Sequence, residues 1–99
     1  MCKFYTIKLN NVPVEIGCFY YGRGNNFIYR IVYSFYSCEV EYDIFDTRYI
    51  RPLADHYEPE EIEKMHPDIL EEIDKYHKEH KIELFDKFIR YYSCKHNGM

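Results

Sequence analysis

The chain has no tryptophan, no glutamine and only one alanine, Ala54. Its twelve tyrosines and seven phenylalanines must therefore supply most of the bulky side chains that a core requires. The composition, which is also rich in isoleucine, lysine and asparagine, is typical of AT-rich genomes, including those of many small phages and viruses. Heat adaptation also lowers glutamine content, but four cysteines argue against it. We therefore expect a viral or phage accessory protein.

A long apolar run is also missing, because no window approaches the roughly eighteen apolar residues of a membrane-spanning helix. Residues 1–10 contain Lys3 and Lys8 but no uninterrupted apolar segment and no small-residue cleavage site. We therefore expect a soluble protein of the cytoplasm, and of the host cytoplasm if the gene is viral. Contact with membranes is not expected.

The four cysteines, Cys2, Cys18, Cys38 and Cys94, include no pair separated by two residues. This spacing predicts neither a zinc ribbon nor a thioredoxin-like redox motif. Without a secretory signal we expect reduced thiols that act mainly as small buried hydrophobic groups. Cys18 and Cys38 are candidates for cross-strand neighbours, which would permit a disulfide in an oxidising compartment.

Common catalytic motifs are absent as well. The chain has no nucleophile elbow, no phosphate-binding glycine loop followed by a helix, and no zinc-protease motif. A cysteine or aspartate could act with His56, but none of these pairs lies in a known pattern. We therefore expect a protein that is not an enzyme and that holds no cofactor.

The character of the chain changes near Pro52. Before it, aromatic and β-branched residues alternate with polar ones; after it, acidic residues and helix formers dominate. This change predicts one α+β domain over residues 1–99. Its β half would span residues 1–46, its connecting loop residues 47–57 and its helical half residues 58–96.

The β half predicts an antiparallel meander of three or four strands in sequential order. Asn10 and Asn11 supply one turn, and residues 22–26 a hairpin loop of four or five residues. In the last strand the acidic residues alternate with apolar ones, so they are expected to face water. The predicted strands cover residues 3–9, 12–21, 27–36 and 38–45, and the water-facing acids are Glu39, Glu41 and Asp43.

Two or three helices are predicted to follow and to cover one face of the sheet. Pro59 suits the first turn of a helix, and Pro67 ends one helix and begins another. The apolar spacing slips near His80, so either a kink or one long helix that changes its packing partner fits the pattern. The apolar residues expected to cover the sheet are Ile69, Ile73, Phe85, Ile89 and Tyr92, and Ile82 extends the same row.

Acidic residues are concentrated in one segment of a chain whose formal net charge is −4. This segment, residues 55–74, predicts a negative helical surface that binds a basic partner, including the nucleic-acid groove of another protein; alternatively, the acids simply favour first helical turns and solvated faces. Exposed tyrosines are typical of protein interfaces, so a homodimer or a heteromeric contact is expected. The predicted partner-binding residues are Glu60, Glu61, Glu63, Glu71, Glu72, Tyr20, Tyr21, Tyr36, Tyr49 and Arg51.

The leading hypothesis is therefore a small intracellular protein that binds and modulates or inhibits a protein partner. A second hypothesis is a nucleic-acid-binding module, in which an aromatic and arginine sheet surface stacks single-stranded bases. The negative net charge argues against it, and the same aromatic residues could instead build the core. The stacking residues would be Arg23, Arg30, Tyr29 and Tyr33.

Two histidines, His77 and His80, lie one helical turn apart and could chelate a transition metal. Cys94 and His96 could complete four ligands of a structural zinc site. The alternative is a solvated helix face, rich in lysine and glutamate, on which two histidines happen to fall. We expect no metal.

Overall fold

The computed structural model describes residues 2–23, 26–36, 38–43, 45–52 and 58–96, with side chains for residues 6–18, 30–36, 38–43, 45–52 and 58–87. Five strands form one antiparallel sheet, and two helices follow them. The predicted α+β class is therefore confirmed. The elements are β1 (Cys2–Leu9), β2 (Val12–Arg23), β3 (Asn26–Phe35), β4 (Cys38–Asp43), β5 (Arg48–Pro52), α1 (Pro59–Met65) and α2 (Pro67–His96).

The strands follow one another across the sheet in the order β1-β2-β3-β4-β5. The expected sequential meander is confirmed, with one strand more than predicted and with β3 at the centre. Asn10 and Asn11 both adopt left-handed backbone conformations, with φ of 51° and 64°. Two such residues in a row make the tight turn whose twist matches that of paired strands, and asparagine tolerates this conformation.

The hairpin of β2 and β3 has longer strands and a shorter loop than predicted. The ladder continues to the pair Arg23 and Asn26, so Gly22 and Arg23 belong to β2 rather than to a loop. Aromatic and β-branched residues before and after the turn favour extended pairing, which accounts for the longer strands.

The prediction of a connecting loop over residues 47–57 is wrong in part, because residues 48–52 form the strand β5, which pairs with β4. Conversely, β4 ends at Asp43, two residues before the predicted end. The sequence pattern does not reveal β5, because this edge strand is largely exposed and Ile50 is its residue that packs against the core. Pro52 suits this position, since an edge strand has ladder positions that need no amide donor.

A turn organised by Asp43 joins β4 to β5. Its carboxylate oxygen Oδ1 accepts hydrogen bonds from the backbone N–H groups of Phe45, at 2.9 Å, and Thr47, at 2.8 Å. Asp46, between them, has a φ of 64°, a conformation that aspartate adopts more readily than most residues. The turn holds Asp46 where it contacts α2.

The helices begin where the prolines predict. Pro59 lies in the first turn of α1 with Glu60 and Glu61, and α1 ends just before His66 and Pro67. Helix α2 then continues for 30 residues, so the slipped apolar pattern lies within a single long helix. In the described part of the chain, no helix is long and apolar enough to cross a bilayer.

Both helices pack on the same side of the sheet, which we call the helix face. Ile69 and Ile73 are buried there and Phe85 partly so, as predicted, while Ile89 and Tyr92 lie outside the described side chains. Ile82 is 78% exposed, contrary to expectation. The buried row instead runs at heptad spacing through Leu70, His77 and Leu84, which turns Ile82 towards water. The buried strand residues of this core are Val14, Ile16, Cys18, Ile31, Tyr33, Phe35, Cys38, Val40 and Tyr42.

Candidate protein-binding site

An open groove of about 360 Å³ lies between β5 and the two helices. Pro67 and Leu70 contribute apolar surface to it, and Arg48 comes from the edge strand. Three carboxylates complete the lining: Glu63 of α1, and Glu71 and Asp74 of α2. Two of the five glutamates predicted to bind a partner, Glu63 and Glu71, therefore meet in one concave surface.

The charges of the groove are unequal, since three carboxylates face one guanidinium. Arg48 Nη2 donates to Glu63 Oε1 at 2.8 Å, and both side chains are partly exposed. Asp74 accepts hydrogen bonds from the Tyr42 hydroxyl at 3.1 Å and from Lys78 at 2.9 Å. Burial acts to raise the pKa of Asp74, but these bonds outweigh it and the pKa is lowered, so the carboxylate stays ionised.

The remaining predicted glutamates also lie on the helices. Glu60 and Glu61 are exposed in the first turn of α1, and Glu72 is partly buried on α2. Among the described side chains, none forms an ion pair with Glu71. The acidic surface thus extends from the groove onto α1, and part of its charge is uncompensated.

Tyr36 contacts His66, the residue that precedes Pro67 of the groove in sequence. It is 67% exposed and has a left-handed backbone, with φ of 48°, which is unfavourable for a bulky residue. Its ring lies 5.1 Å from the ring of His66, at an angle of 33°, and His66 directly precedes Pro67. Of the other predicted tyrosines, Tyr20 and Tyr21 lie outside the described side chains.

Tyr49 and Arg51 belong to a different surface, on the side of the sheet away from the helices, which we call the outer face. Both surround Glu41, which is only 1% exposed although the alternating pattern predicted that it faces water. Arg30 Nη1 lies 3.1 Å from Glu41 Oε2 and Arg51 Nε lies 3.6 Å from it. The Arg30 guanidinium also sits 4.4 Å from the centre of the Tyr49 ring. The expectation for Glu41 is wrong because two arginines on neighbouring strands compensate its charge within the sheet.

These contacts bear on the base-stacking hypothesis. Tyr33 is fully buried on the helix face, so its ring cannot offer a face to a nucleotide. Arg30 projects from the outer face and is bound to Glu41. Two of the four residues assigned to the stacking surface therefore lie on opposite sides of the sheet, and Arg23 and Tyr29 lie outside the described side chains.

His77 is fully buried at the centre of the helix face, not solvated as the lysine-rich surroundings suggested. Its Nδ1 lies 3.1 Å from the Tyr33 hydroxyl and its Nε2 lies 3.1 Å from Asp46 Oδ1. Its ring stacks on that of Tyr42, with centroids 4.0 Å apart. A neutral imidazole satisfies both contacts if Tyr33 donates to Nδ1 and Nε2–H donates to Asp46.

Burial and hydrogen bonding together shift the pKa values of this cluster. Desolvation lowers the pKa of His77 below its usual 6.5, although the hydrogen bond to Asp46 opposes the shift. The hydrogen bond from Lys81 is the main cause of a lowered pKa at Asp46. Burial, with the nearby charge of Asp74, raises the pKa of Tyr42. Neutral His77 thus links β3, the β4–β5 turn and α2.

The histidine pair has no geometry suited to a metal in the described part of the chain. Both nitrogens of His77 are occupied by protein partners, and His80 Nδ1 lies 3.0 Å from the backbone oxygen of Tyr76. Among the described residues, no three histidine, cysteine or acidic side chains converge as metal ligands would. Cys94 and His96 lie outside the described side chains.

The two candidates for cross-strand neighbours, Cys18 and Cys38, are separated by β3 and differ in register, since Cys18 lies opposite Ile31 and Cys38 opposite Phe35. Burial raises the pKa of Cys38 to about 11, and its thiol donates to the Phe35 carbonyl at 3.3 Å. A Cys18–Cys38 disulfide is therefore incompatible with the sheet.

The three polar clusters differ in what is buried. The imidazole of His77 and the carboxylate of Glu41 are buried beside partners within the fold, whereas the carboxylates of the groove line an open surface. Sequence reasoning missed Arg48 and the buried roles of Glu41 and His77. It placed Asp74 in the acidic segment but not among the residues predicted to bind a partner. The chain matches no family model, no curated protein and no solved structure.

Proposed function

We propose that this protein binds, and modulates or inhibits, a protein partner by holding a basic segment of that partner in the groove between β5, α1 and α2. The observation that carries the proposal is the excess of carboxylates in an open concave surface. Such a surface attracts positive charge, which speeds encounter and selects against acidic partners.

The lining suits a lysine or arginine side chain. The stem of such a residue packs on apolar surface while its charged head reaches for acceptors, and Pro67 and Leu70 lie beside the carboxylates of Glu63 and Glu71. An incoming arginine would form charge-assisted hydrogen bonds with these oxygens. The exposed ion pair between Arg48 and Glu63 would cost little to rearrange, because exposed pairs contribute roughly 0–1 kcal/mol.

Tyr36 extends the proposed surface. It is exposed, and its stacking partner His66 adjoins Pro67 of the groove. A rigid aromatic ring beside a charged groove is a common arrangement in protein interfaces, where tyrosine supplies contact area at low entropic cost. Tyr49 and Arg51 lie on the outer face instead, so they are assigned no part in this contact.

The test compares three forms of the protein as bait in affinity capture from lysate, read by quantitative mass spectrometry. The groove variant is E63Q/E71Q, and the matched control E79Q/E83Q removes the same charge from two exposed positions of α2 outside the groove. We expect a stoichiometric protein that the wild type and the control retain and the groove variant loses by at least about tenfold, which corresponds to 1.4 kcal/mol.

The captured protein is then titrated in purified form at increasing salt. Affinity should fall with salt, because screening weakens contacts between exposed charges. Equal capture by all three baits would contradict the proposal that the groove binds the partner. Recovery of nucleic acid alone would instead favour the nucleic-acid-binding hypothesis.

A further inference from the structure

Cys2 and Cys18 lie directly opposite each other in the antiparallel pair of β1 and β2. Residues in such positions have Cα atoms about 4.5 or 5.5 Å apart, depending on the type of pair. Both values fall within the roughly 4.4–6.8 Å that a disulfide requires. The register alone thus brings together two cysteines that are far apart in sequence.

This pairing depends on an irregularity in β1. The register that pairs Tyr5 with Ile16 would, if continued, set Cys2 opposite Phe19. The shift between Lys3 and Tyr5 moves the partner by one residue, so that Lys3 lies opposite Gly17 and Cys2 opposite Cys18. A bulge of this kind changes which residues share a face of the sheet.

We propose that Cys2 and Cys18 form a reversible disulfide that fastens the edge strand β1 to β2. The oxidant is a small-molecule disulfide such as oxidised glutathione. The thiolate of Cys2 attacks one of its sulfurs, which gives a mixed disulfide and releases one molecule of reduced glutathione. The thiolate of Cys18 then attacks the Cys2 sulfur and releases the second. Both thiol protons pass to the departing glutathione thiolates through solvent.

The position of the pair makes the reaction accessible even though Cys18 is only 6% exposed. β1 is an edge strand, paired on one side alone. Elements held on one side open locally at a lower free-energy cost than central strands, and such opening would admit the oxidant. Cys38, by contrast, lies opposite Phe35 and Pro52 and has no cysteine partner in register.

The test treats the whole folded protein with oxidised glutathione, blocks remaining thiols and digests it with trypsin. Cleavage after Lys3, Lys8 and Arg23 leaves the two cysteines in separate peptides, residues 1–3 and 9–23. We expect these peptides to be joined, the intact mass to fall by two hydrogen atoms, and two of the four thiols to remain. The midpoint of thermal unfolding should rise, because the bond restricts the unfolded chain.

Two variants make the assignment specific. C2S should abolish both the linked peptides and the rise in the unfolding midpoint, whereas C38A should retain the linked peptides even if its stability is lower. Cross-linking of Cys18 to another cysteine, a disulfide-linked dimer through Cys2, or persistence of all four thiols would overturn the proposal.

Discussion

The two faces of the sheet bury polar groups by different means. On the helix face, His77 is neutral, packed among tyrosine rings and satisfied through hydrogen bonds to Tyr33 and Asp46. On the outer face, Glu41 is closely approached by two guanidinium groups. One face therefore hides a titratable group by keeping it uncharged, and the other by pairing its charge.

The two faces should therefore respond differently to substitution. A packed apolar face loses stability in proportion to the volume removed from it. A charge-paired face loses most when one partner is deleted, because the remaining charge stays poorly solvated. Four variants or conditions test these responses, and the change in stability that we expect decreases from each to the next.

Replacing Ile73, a residue of α2 that is fully buried against the sheet, should have the largest effect. I73A should lower the free energy of unfolding by about 2–5 kcal/mol, because it removes buried methyl groups and leaves a cavity. Chemical denaturation measures the change. The matched control is I82A on the same helix, where Ile82 is 78% exposed and the change should stay within about 0.5 kcal/mol. Equal losses of unfolding free energy in both variants would contradict the orientation of α2, in which Ile73 faces the sheet and Ile82 faces water.

On the outer face, E41Q should cost about 1–3 kcal/mol, because Arg30 loses its charged partner in a partly buried site. Most of this cost is assigned to Arg30, since Arg51 is largely exposed and solvent screens its contribution. E39Q, on the same strand, should change stability by no more than about 0.5 kcal/mol. If E39Q is as destabilising as E41Q, then charge pairing at Glu41 does not stabilise this face.

Acidification should weaken the helix face through His77, whose pKa is lowered on folding. As pH falls below 6.5, His77 binds a proton in the unfolded chain more readily than in the folded state, so the free energy of unfolding decreases. Three other charged groups face this imidazole: Asp46, Lys81 and Asp74. Because the pKa values of the two carboxyls are lowered from 3.8, the stability that these carboxyls contribute is lost only below about that pH.

The measurement is the denaturation midpoint between about pH 7 and pH 5. H77F should show a shallower decline than the wild type, and I82A, from the same helix, should keep the wild-type slope. An unchanged slope in H77F would mean that His77 is protonated at equal cost in the folded and unfolded chain.

The smallest effect is expected at the exposed pair of Arg48 and Glu63. A double-mutant cycle with R48A and E63A should give a coupling energy of about 0.2–1 kcal/mol, which high salt should reduce. A larger coupling, unaffected by salt, would show that the groove is pre-organised by this pair rather than open to rearrangement.

Local patterns sufficed for much of the fold. Asn10 and Asn11 predicted a turn, and Pro59 and Pro67 predicted the helix starts. β-Branched and aromatic content, together with alternation, predicted four of the five strands. β5 was not predicted, because an exposed edge strand has a weak apolar pattern. Of the candidate site, Glu63 and Glu71 were predicted to bind a partner and Asp74 was placed in the same acidic segment. Arg48 was not predicted, because nothing in the sequence indicates that β5 and α2 line the same groove.

The α+β class and the order of the strands could be predicted from the sequence alone, because local patterns and short connections specify them, and the segregation of acidic residues is read directly from it. The burial of Glu41 and His77 and the register that sets Cys2 opposite Cys18 became visible only in the folded chain. Each of these depends on partners distant in sequence, such as Tyr33, which is 44 residues from His77. A charged or polar residue is buried only where such partners replace the water it loses, and no local pattern specifies them.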